Sequence, residues 1–361
     1  MSVNKEKREL KVVEVSGSHY EMGLQYGKAC PEISDMLELT CQLFGGRDIA
    51  RDVQERYVPM FLPYLENYAP EIMEELKGMA EGAKVSFNDI MLLNITYEIS
   101  VESVMGGCTS FAAMGKATVD GKLISGQNID HIEPWLKHMI LLKMRPDDGP
   151  DIMAVTAPGC LTLTGINSAG ISINMNLLRN QSSLEVIGGV PTHVMLRKQF
   201  MSEKLGDAVA AIATAEGRSP KNYLLTSTGE GIIDIETTKT DLDVQYPEND
   251  MLTHSNHFKA ERFKSTDISA SLAPDTYIRA NRLYRLMEEH HGDITVDVMK
   301  QLMQDHSNYP NSICRHRDKK APFPLGRIIK TLISIINVPE EKTVYVALGN
   351  PCQYDYVEYT L

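Results

Sequence analysis

The sequence predicts an α+β protein in which antiparallel sheets are layered against helices. Paired strand patterns recur around short turns, as at Val119-Asp120-Gly121 and Asn167-Ser168-Ala169-Gly170. Helical patterns are grouped in the first hundred residues and in later blocks, and strands return at the C-terminus. Strict alternation of strand and helix is therefore missing, which argues against a doubly wound parallel sheet.

The first hundred residues are predicted to be mainly helical. A short strand over 10–15 precedes Ser18, and Glu21 follows three residues later, which is the pattern of a capping box at a helix N-terminus. Beyond it, apolar residues recur at helical spacing and prolines punctuate them. We expect helices over 19–44 and 48–100, with breaks at Pro31, Pro59, Pro63 and Pro70.

After residue 107 the pattern changes to strands, many of them paired through turn residues. Short runs rich in Val, Ile, Thr, Leu and Tyr are bounded by Gly, Asn and Asp, and three longer stretches have helical periodicity. The predicted strands are 108–114, 122–127, 139–144, 152–156, 161–166, 171–176, 223–227, 232–236, 332–338, 343–348 and 354–359. The predicted helices are 191–215, 276–290 and 296–306.

Composition excludes several classes of function. The 361 residues carry a formal net charge of -12, with 43% hydrophobic and 23% charged residues, which is typical of a globular protein and argues against binding to nucleic acid or to anionic membranes. The charged N-terminal residues do not resemble a signal peptide, and no apolar run is long enough to span a membrane. Six scattered cysteines without a C-x-x-C pair are typical of a reduced compartment, so we expect a cytoplasmic protein.

The run Gly106-Gly107-Cys108-Thr109-Ser110 has the features of a nucleophile that becomes a chain terminus. The thiol of Cys108 can attack the carbonyl of Gly107, where the absence of a side chain permits a tight turn. Hydrolysis of the resulting thioester would free the α-amino group of Cys108. That amine titrates near ~8, so it can serve as the general base for its own thiol.

The chain resembles the penicillin acyl-CoA:6-aminopenicillanate acyltransferase family, the C45 cysteine peptidases of the N-terminal nucleophile (Ntn) hydrolase superfamily. The order and spacing of four segments carry the resemblance: 17–23 with Gly27, 107–110 with 126–130, 254–258, and 312–316. It implies a four-layer αββα sandwich in which self-cleavage divides a helical segment, 1–107, from a segment with the Ntn core, 108–361. It also implies an acyl amide or acyl-CoA substrate, with no metal and no organic cofactor.

The resemblance also assigns site residues to this sequence. It implies that Asp130, in Gln127-Asn128-Ile129-Asp130, orients the new α-amino group, and that the side-chain amide of Asn256 donates to the oxyanion. It places Arg315 near the nucleophile, where a cation could hold the thiolate or a substrate carboxylate. In many relatives an aromatic residue follows the aspartate, whereas this chain has His131, which leaves the pocket wall undefined.

The period of a strand adds one further candidate, because Ser110 and Cys108 share a face. The hydroxyl of Ser110 could then hydrogen-bond the thiol or assist self-cleavage. Two other interpretations remain open: an unprocessed thiol hydrolase with a histidine base, and a non-catalytic or metal-binding protein on the same fold. His254 and His257 would supply half of a metal site, but no further ligand lies at suitable spacing, so we expect them to be packing residues.

Overall fold

The computed structural model describes residues 5–99, 106–181, 185, 188–321 and 325–361. Residue 100 of the predicted helical region, and residues 1–4 and 100–105 of the expected segment 1–107, lie outside this range. Within it, the strands form an eight-stranded sheet, a six-stranded sheet and a short two-stranded pair. The two large sheets pack face to face.

Helices dominate the described part of the N-terminal hundred residues, and later helices follow the strands in two blocks. Numbered in chain order, the helices are α1 His19–Ala29, α2 Ile33–Leu43, α3 Arg47–Tyr68, α4 Pro70–Ala83, α5 Phe87–Asn94, α6 Thr96–Ile99, α7 Thr192–Phe200, α8 Leu205–Ala213, α9 Ser269–Leu272, α10 Asp275–Glu289 and α11 Val296–Leu302. The predicted capping box is present at the start of α1: the Ser18 hydroxyl accepts from the backbone N–H of Glu21, and the Glu21 carboxylate accepts from the backbone N–H of Ser18.

The eight-stranded sheet has the order β11-β10-β9-β8-β7-β6-β5-β2, and all its neighbours are antiparallel except β2 and β5. Its central strands are buried along their whole length because both of their faces are covered, and the polar residues among them face other polar groups inside the protein. The strands of this sheet are β2 Lys11–Gly17, β5 Ile140–Pro146, β6 Ile152–Thr156, β7 Thr164–Asn167, β8 Ile171–Leu177, β9 Lys221–Ser227, β10 Gly231–Thr237 and β11 Leu242–Gln245.

The six-stranded sheet has the order β12-β3-β4-β13-β14-β16 and is antiparallel throughout. The predicted hairpin after residue 107 forms its centre, as the pair β3–β4. The remaining strands are β1 Glu6–Lys7, β3 Gly107–Ala113, β4 Ile124–Ile132, β12 Met251–His254, β13 Ile329–Val338, β14 Thr343–Leu348, β15 Tyr354–Asp355 and β16 Val357–Thr360.

The layers confirm the predicted αββα sandwich. Helices α1, α7 and α8 contact the outer face of the eight-stranded sheet, whereas α10 and α11 contact the outer face of the six-stranded sheet. The inner faces meet where β3 and β4 contact β8. Polar pairs cross this interface, for example Ser125 Oγ and Ser172 Oγ at 2.6 Å. None of the helices in the described part of the chain combines the length and hydropathy that crossing a bilayer requires.

The helices differ from the prediction in several places, and two of the differences have a clear physical cause. Pro59 and Pro63 do not break α3, because both lie on its exposed side, where water can reach the backbone carbonyls that lose their N–H partners. The predicted helix 191–215 is divided into α7 and α8. The buried amide of Asn167 donates to the backbone oxygens of Phe200 at 3.0 Å and Ser202 at 2.8 Å, which terminates α7.

Glycines bring α1 and α4 into backbone contact. A Cβ at Gly23 would stand 1.9 Å from the carbonyl oxygen of Glu75, and one at Gly78 would stand 2.1 Å from that of Tyr20. Because the obstructing atoms belong to the backbone, they cannot move without separating the helices. This close backbone contact explains why the motif 17–23 has a glycine at position 23.

Gly23→Ala is therefore expected to destabilise the protein by about 1–3 kcal/mol or more through overpacking. Gly206→Ala is the matched control, since Gly206 also lies in a helix but a Cβ there would meet nothing within 4 Å. The control should be neutral or stabilising by up to about 1 kcal/mol. Urea unfolding of both variants measures the difference, and equal stabilities would show that the α1–α4 contact is loose.

Candidate active site

Cys108 is the second residue of β3 and is 7% exposed. In the ladder with β4 it lies opposite Ile129, while Ser110 lies opposite Gln127, so the two side chains share a face as the strand period predicts. That face is the inner one, because Ser110 Oγ donates to Asn176 Oδ1 of β8 at 2.7 Å. The hydroxyl of Ser110 thus contacts the opposing sheet, and the roles suggested by the sequence, a bond to the Cys108 thiol or assistance in self-cleavage, stay predictions.

The peptide group that joins Gly107 to Cys108 is held by polar side chains. Its N–H donates to Asn256 Oδ1 at 2.9 Å. The carbonyl oxygen of Cys108 accepts from Ser255 Oγ at 2.8 Å and from Arg279 Nη1 at 2.6 Å. The backbone on both sides of the Cys108 Cα is therefore fixed by groups that are themselves buried.

Asn256 follows β12, and three contacts determine its orientation. Its Oδ1 accepts from the Cys108 N–H and, at 2.8 Å, from Arg279 Nη2, and its Nδ2 donates to the carbonyl oxygen of Leu177 at 3.0 Å. Two donors facing one atom identify that atom as the amide oxygen. The amide nitrogen has a second hydrogen that Leu177 does not use.

Asp130 lies within β4 opposite Gly107, and the strand continues beyond it to Ile132. Its Oδ1 accepts from Thr331 Oγ1 at 2.7 Å. A Cβ at Gly107 would stand 3.1 Å from Asp130 Oδ2, so the glycine leaves room for the carboxylate beside the peptide group. Burial raises the pKa of Asp130 to about 6, despite the opposing charges of Arg315 and Arg279.

Arg315 reaches the same carboxylate from the loop before β13. Its Nε lies 3.2 Å from Asp130 Oδ2, and its guanidinium also pairs with Asp275. Burial alone would raise the pKa of Asp275, but the charges of Arg279 and Arg315 hold that pKa below its usual range. The structure thus brings Cys108, Asp130, Asn256 and Arg315 together in one site.

Arg279 of α10 is a member of this site that sequence reasoning missed. It is 1% exposed, bonds to Cys108 and Asn256, donates from Nη1 to Thr109 Oγ1 at 2.8 Å, and pairs with Asp275 at 2.8 Å. The sequence contained part of the information needed to find Arg279. Arg279 interrupts the buried stripe of α10, and a charge on such a stripe needs a partner in the interior.

The electrostatics of the intact chain leave the thiol protonated. Burial and the Asp130 carboxylate raise the pKa of the Cys108 thiol to about 12, and the Arg279 and Arg179 guanidinium groups only partly oppose them. Arg179 also donates to the carbonyl oxygen of Gly106 at 2.7 Å. A reactive thiolate at neutral pH requires a further basic group next to the sulfur.

The histidines of the motif 254–258 are occupied elsewhere. His254 Nε2 lies 2.7 Å from Glu236 Oε1, and its Nδ1 lies 2.9 Å from the carbonyl oxygen of Ser255. His257 Nδ1 lies 2.9 Å from the hydroxyl of Thr276. Both residues are buried, and their contacts fit the predicted packing role better than that of a metal ligand or a base.

A narrow apolar pocket adjoins the inner face of the six-stranded sheet. Ile129, which lies opposite Cys108, and His131, which follows Asp130, form part of its wall. The His131 ring packs on Trp135 with centroids 4.2 Å apart, and burial lowers the pKa of His131 to about 4, so this imidazole is neutral at pH 7. The other residues that line the pocket are Tyr97, Met139, Ala157, Cys160, Leu163, His193 and Leu332.

Comparisons with known proteins relate the chain to one family. Residues 117–353 match the family described as acyl-coenzyme A:6-aminopenicillanic acid acyl-transferase. The acyl-coenzyme A:6-aminopenicillanic-acid-acyltransferase 40 kDa form of Emericella nidulans is 26% identical over 345 residues, which cover 94% of this chain and 92% of that protein.

Two solved structures overlap more distantly. The N-acylethanolamine-hydrolyzing acid amidase ortholog of Caenorhabditis elegans gives a TM-score of 0.47 at 14% identity, over 70% of this chain and 100% of that one. A variant of conjugated bile acid hydrolase from Clostridium perfringens gives 0.45 at 11% identity, over 70% and 97%. The family match spans well over half of the sequence, and the resemblance inferred from the four motifs is confirmed: the chain belongs to the acyl-coenzyme A:6-aminopenicillanic acid acyl-transferase family.

Proposed function

We propose that the chain cleaves itself between Gly107 and Cys108 and then acts as a cysteine N-terminal nucleophile hydrolase or acyltransferase on acyl amides or acyl thioesters. One observation carries this proposal. The buried polar groups converge on the peptide N–H of Cys108: Asn256 Oδ1 accepts it, and Asp130 Oδ2 lies beside Gly107. A buried amide and carboxylate arranged around a backbone nitrogen suit an α-amino group that forms there.

Self-cleavage follows from the chemistry of this peptide group. The sulfur of Cys108 attacks the carbonyl carbon of Gly107, the C–N bond breaks, and the departing nitrogen takes up the thiol proton. Water then hydrolyses the thioester, which releases the carboxylate of Gly107 and restores the thiol. The products would be 1–107 and 108–361, which the packing of the N-terminal helices on the eight-stranded sheet would keep together.

Turnover would then use the new terminus. The α-amino group of Cys108 accepts the thiol proton, and the thiolate attacks the acyl carbonyl carbon of the substrate. The second hydrogen of Asn256 Nδ2 and a backbone N–H would stabilise the oxyanion. The leaving amine or thiol takes the proton as the acyl-cysteine forms, and water or an acceptor amine then releases the acyl group.

The contacts around Cys108 support a role for each charged residue and a class of substrate. Asp130 orients the α-amino group, and Arg315 fixes the carboxylate of Asp130. Arg279 holds both Asn256 and the carbonyl of Cys108. The apolar pocket around Ile129 and Trp135 has a volume of only about 20 Å³, so its side chains would have to move apart to admit an acyl chain. Its apolar lining leads us to propose an apolar acyl group.

Trapping the intermediate tests this function. Purified protein is incubated with acyl amides and acyl-CoAs that turn over, quenched in acid and digested, and the peptides are weighed by mass spectrometry. We expect the acyl mass on the peptide that begins with Cys108, and no acyl mass on the peptide of Cys41. Turnover without any adduct at Cys108 under rapid quenching, and with no loss of rate in Cys108→Ala, would contradict the proposal.

A further inference from the structure

A second cluster of reactive side chains lies in the loop that carries Arg315. His306, Cys314, His316 and Cys352 each offer a ligand atom, and these four atoms all lie within 4.8 Å of one another. The Sγ atoms of Cys314 and Cys352 are 3.6 Å apart, and the Nε2 atoms of His306 and His316 are 3.0 Å apart. His316 Nε2 lies 3.7 Å from Cys314 Sγ and 3.4 Å from Cys352 Sγ.

These separations are those of a tetrahedral metal site. Bonds of about 2.3 Å to sulfur and about 2.0 Å to nitrogen at tetrahedral angles place the ligand atoms about 3.3 to 3.8 Å apart. The sulfur–sulfur separation and the two separations from His316 Nε2 to sulfur lie within this range, and the nitrogen–nitrogen separation is slightly shorter. Two thiolates and two imidazoles are a ligand set that Zn²⁺ prefers, and the two thiolate charges neutralise the ion.

We propose that His306, Cys314, His316 and Cys352 bind one Zn²⁺ ion in a Cys₂His₂ site that joins the loop after α11 to the turn after β14. Binding exchanges the thiol protons of the two cysteines for the metal, so two Zn–S bonds form and the protons go to solvent. His306 is exposed and Cys314 is buried, so the ion has an entry path from solvent and an anchored ligand.

The surroundings of the cluster support the same assignment. Asn350 Nδ2 donates to Cys314 Sγ at 3.4 Å, an outer hydrogen bond of the kind that stabilises a metal-bound thiolate. The same nitrogen donates to the carbonyl oxygen of Arg315 at 2.7 Å.

The position of the site gives it a structural role. Arg315 stands between two ligands, Cys314 and His316, and its Nε reaches Asp130 of the candidate active site. The backbone of Arg315 is also tied to Thr331 of β13, by N–H to Oγ1 at 2.9 Å and by its carbonyl to the Thr331 N–H at 3.0 Å. The ion would therefore fix the segment from which Arg315 reaches across to Asp130.

Metal content of the full-length protein, purified with reductant and dialysed against Zn²⁺, tests this proposal. We expect about one zinc per chain in the wild type and less than about a tenth as much in Cys352→Ser and His306→Ala, since losing one of four ligands breaks the site. Cys41→Ser is the matched control, because Cys41 is a partly exposed cysteine outside the cluster and should leave the content unchanged.

Cobalt and a protease give independent measurements. Co²⁺ should produce a thiolate charge-transfer absorption in the wild type that Cys352→Ser lacks, and removal of zinc should accelerate trypsin cleavage within 317–320. Cys108→Ala should keep its zinc, which separates this site from the proposed catalytic function. A wild type that takes up no metal, equal zinc in Cys352→Ser and Cys41→Ser, or a Cys314–Cys352 disulfide that persists in reductant would each overturn the proposal.

Discussion

Cys108→Ala should remain a single chain and should lose all measurable acyl turnover. The substitution removes the sulfur that attacks the Gly107 carbonyl and the sulfur that attacks the substrate, so both reactions fail for the same reason. Because Cys108 is small and sits at the start of β3, the loss of one sulfur atom should leave the fold intact. Denaturing gels and a turnover assay, run in parallel with the wild type, measure the two effects.

Two further variants serve as controls for this experiment. Cys41→Ala should process and turn over like the wild type, since Cys41 lies in α2, which packs against α3 and α5, and is partly exposed. Cys108→Ser retains a weaker nucleophile and should be cleaved more slowly than the wild type. A Cys108→Ala protein that still yields two chains, or that still turns over substrate, would rule out Cys108 as the nucleophile.

Asn256→Ala should reduce kcat by about 10²–10³-fold with little change in KM, the usual effect of removing one oxyanion donor. The same change removes the acceptor of the Cys108 N–H and of Arg279 Nη2, so self-cleavage should also slow. Rates are therefore expressed per mole of chain that begins at Cys108. Asn256→Asp should be at least as harmful, because an ionised carboxylate has no donor and repels the developing charge.

Asn128→Ala is the matched control for this loss of a buried amide. Asn128 is equally buried, and its Nδ2 bridges the carbonyl oxygens of Met303 and Ile313 where that of Asn256 donates to Leu177. We expect it to lower stability while leaving kcat within a few-fold of the wild type. Equal losses of kcat in the two variants would assign the effect of Asn256→Ala to the fold, and near-normal kcat in Asn256→Ala with inactive His254→Ala would favour a histidine base.

The parts of the site that local sequence determines were the most predictable. Cys108, Ser110 and Asp130 lie in one hairpin, whose turn and strand period fix which residues share a face. The strand period predicts which face of the sheet carries the Ser110 side chain. It does not specify the residue on the opposing sheet, so it could not predict the hydrogen bond to Asn176. The site roles of Asp130, Asn256 and Arg315 were predicted through the family resemblance, and the positions of Asn256 and Arg315 depend on distant strands.

Long-range packing explains what the sequence did not reveal. Arg279 enters the site because α10 packs across β3 and β12, and nothing in the local pattern of that helix specifies this crossing. The four ligands of the proposed zinc site span 306–352 without a familiar spacing, so only the approach of the 305–316 loop to the turn after β14 reveals them. Long-range packing also terminates α7, because Asn167 of strand β7 donates to the backbone oxygen of Phe200 at the end of that helix.

The central claim is that the working enzyme begins at Cys108, and the intact mass and N-terminal sequence of freshly purified, active protein test it most directly. We predict two species in equal amounts, one that ends at Gly107 and one that covers 108–361 with a free α-amino group on Cys108. A single species of 361 residues that turns over acyl substrates at full rate, with no chain beginning at Cys108, would contradict the account.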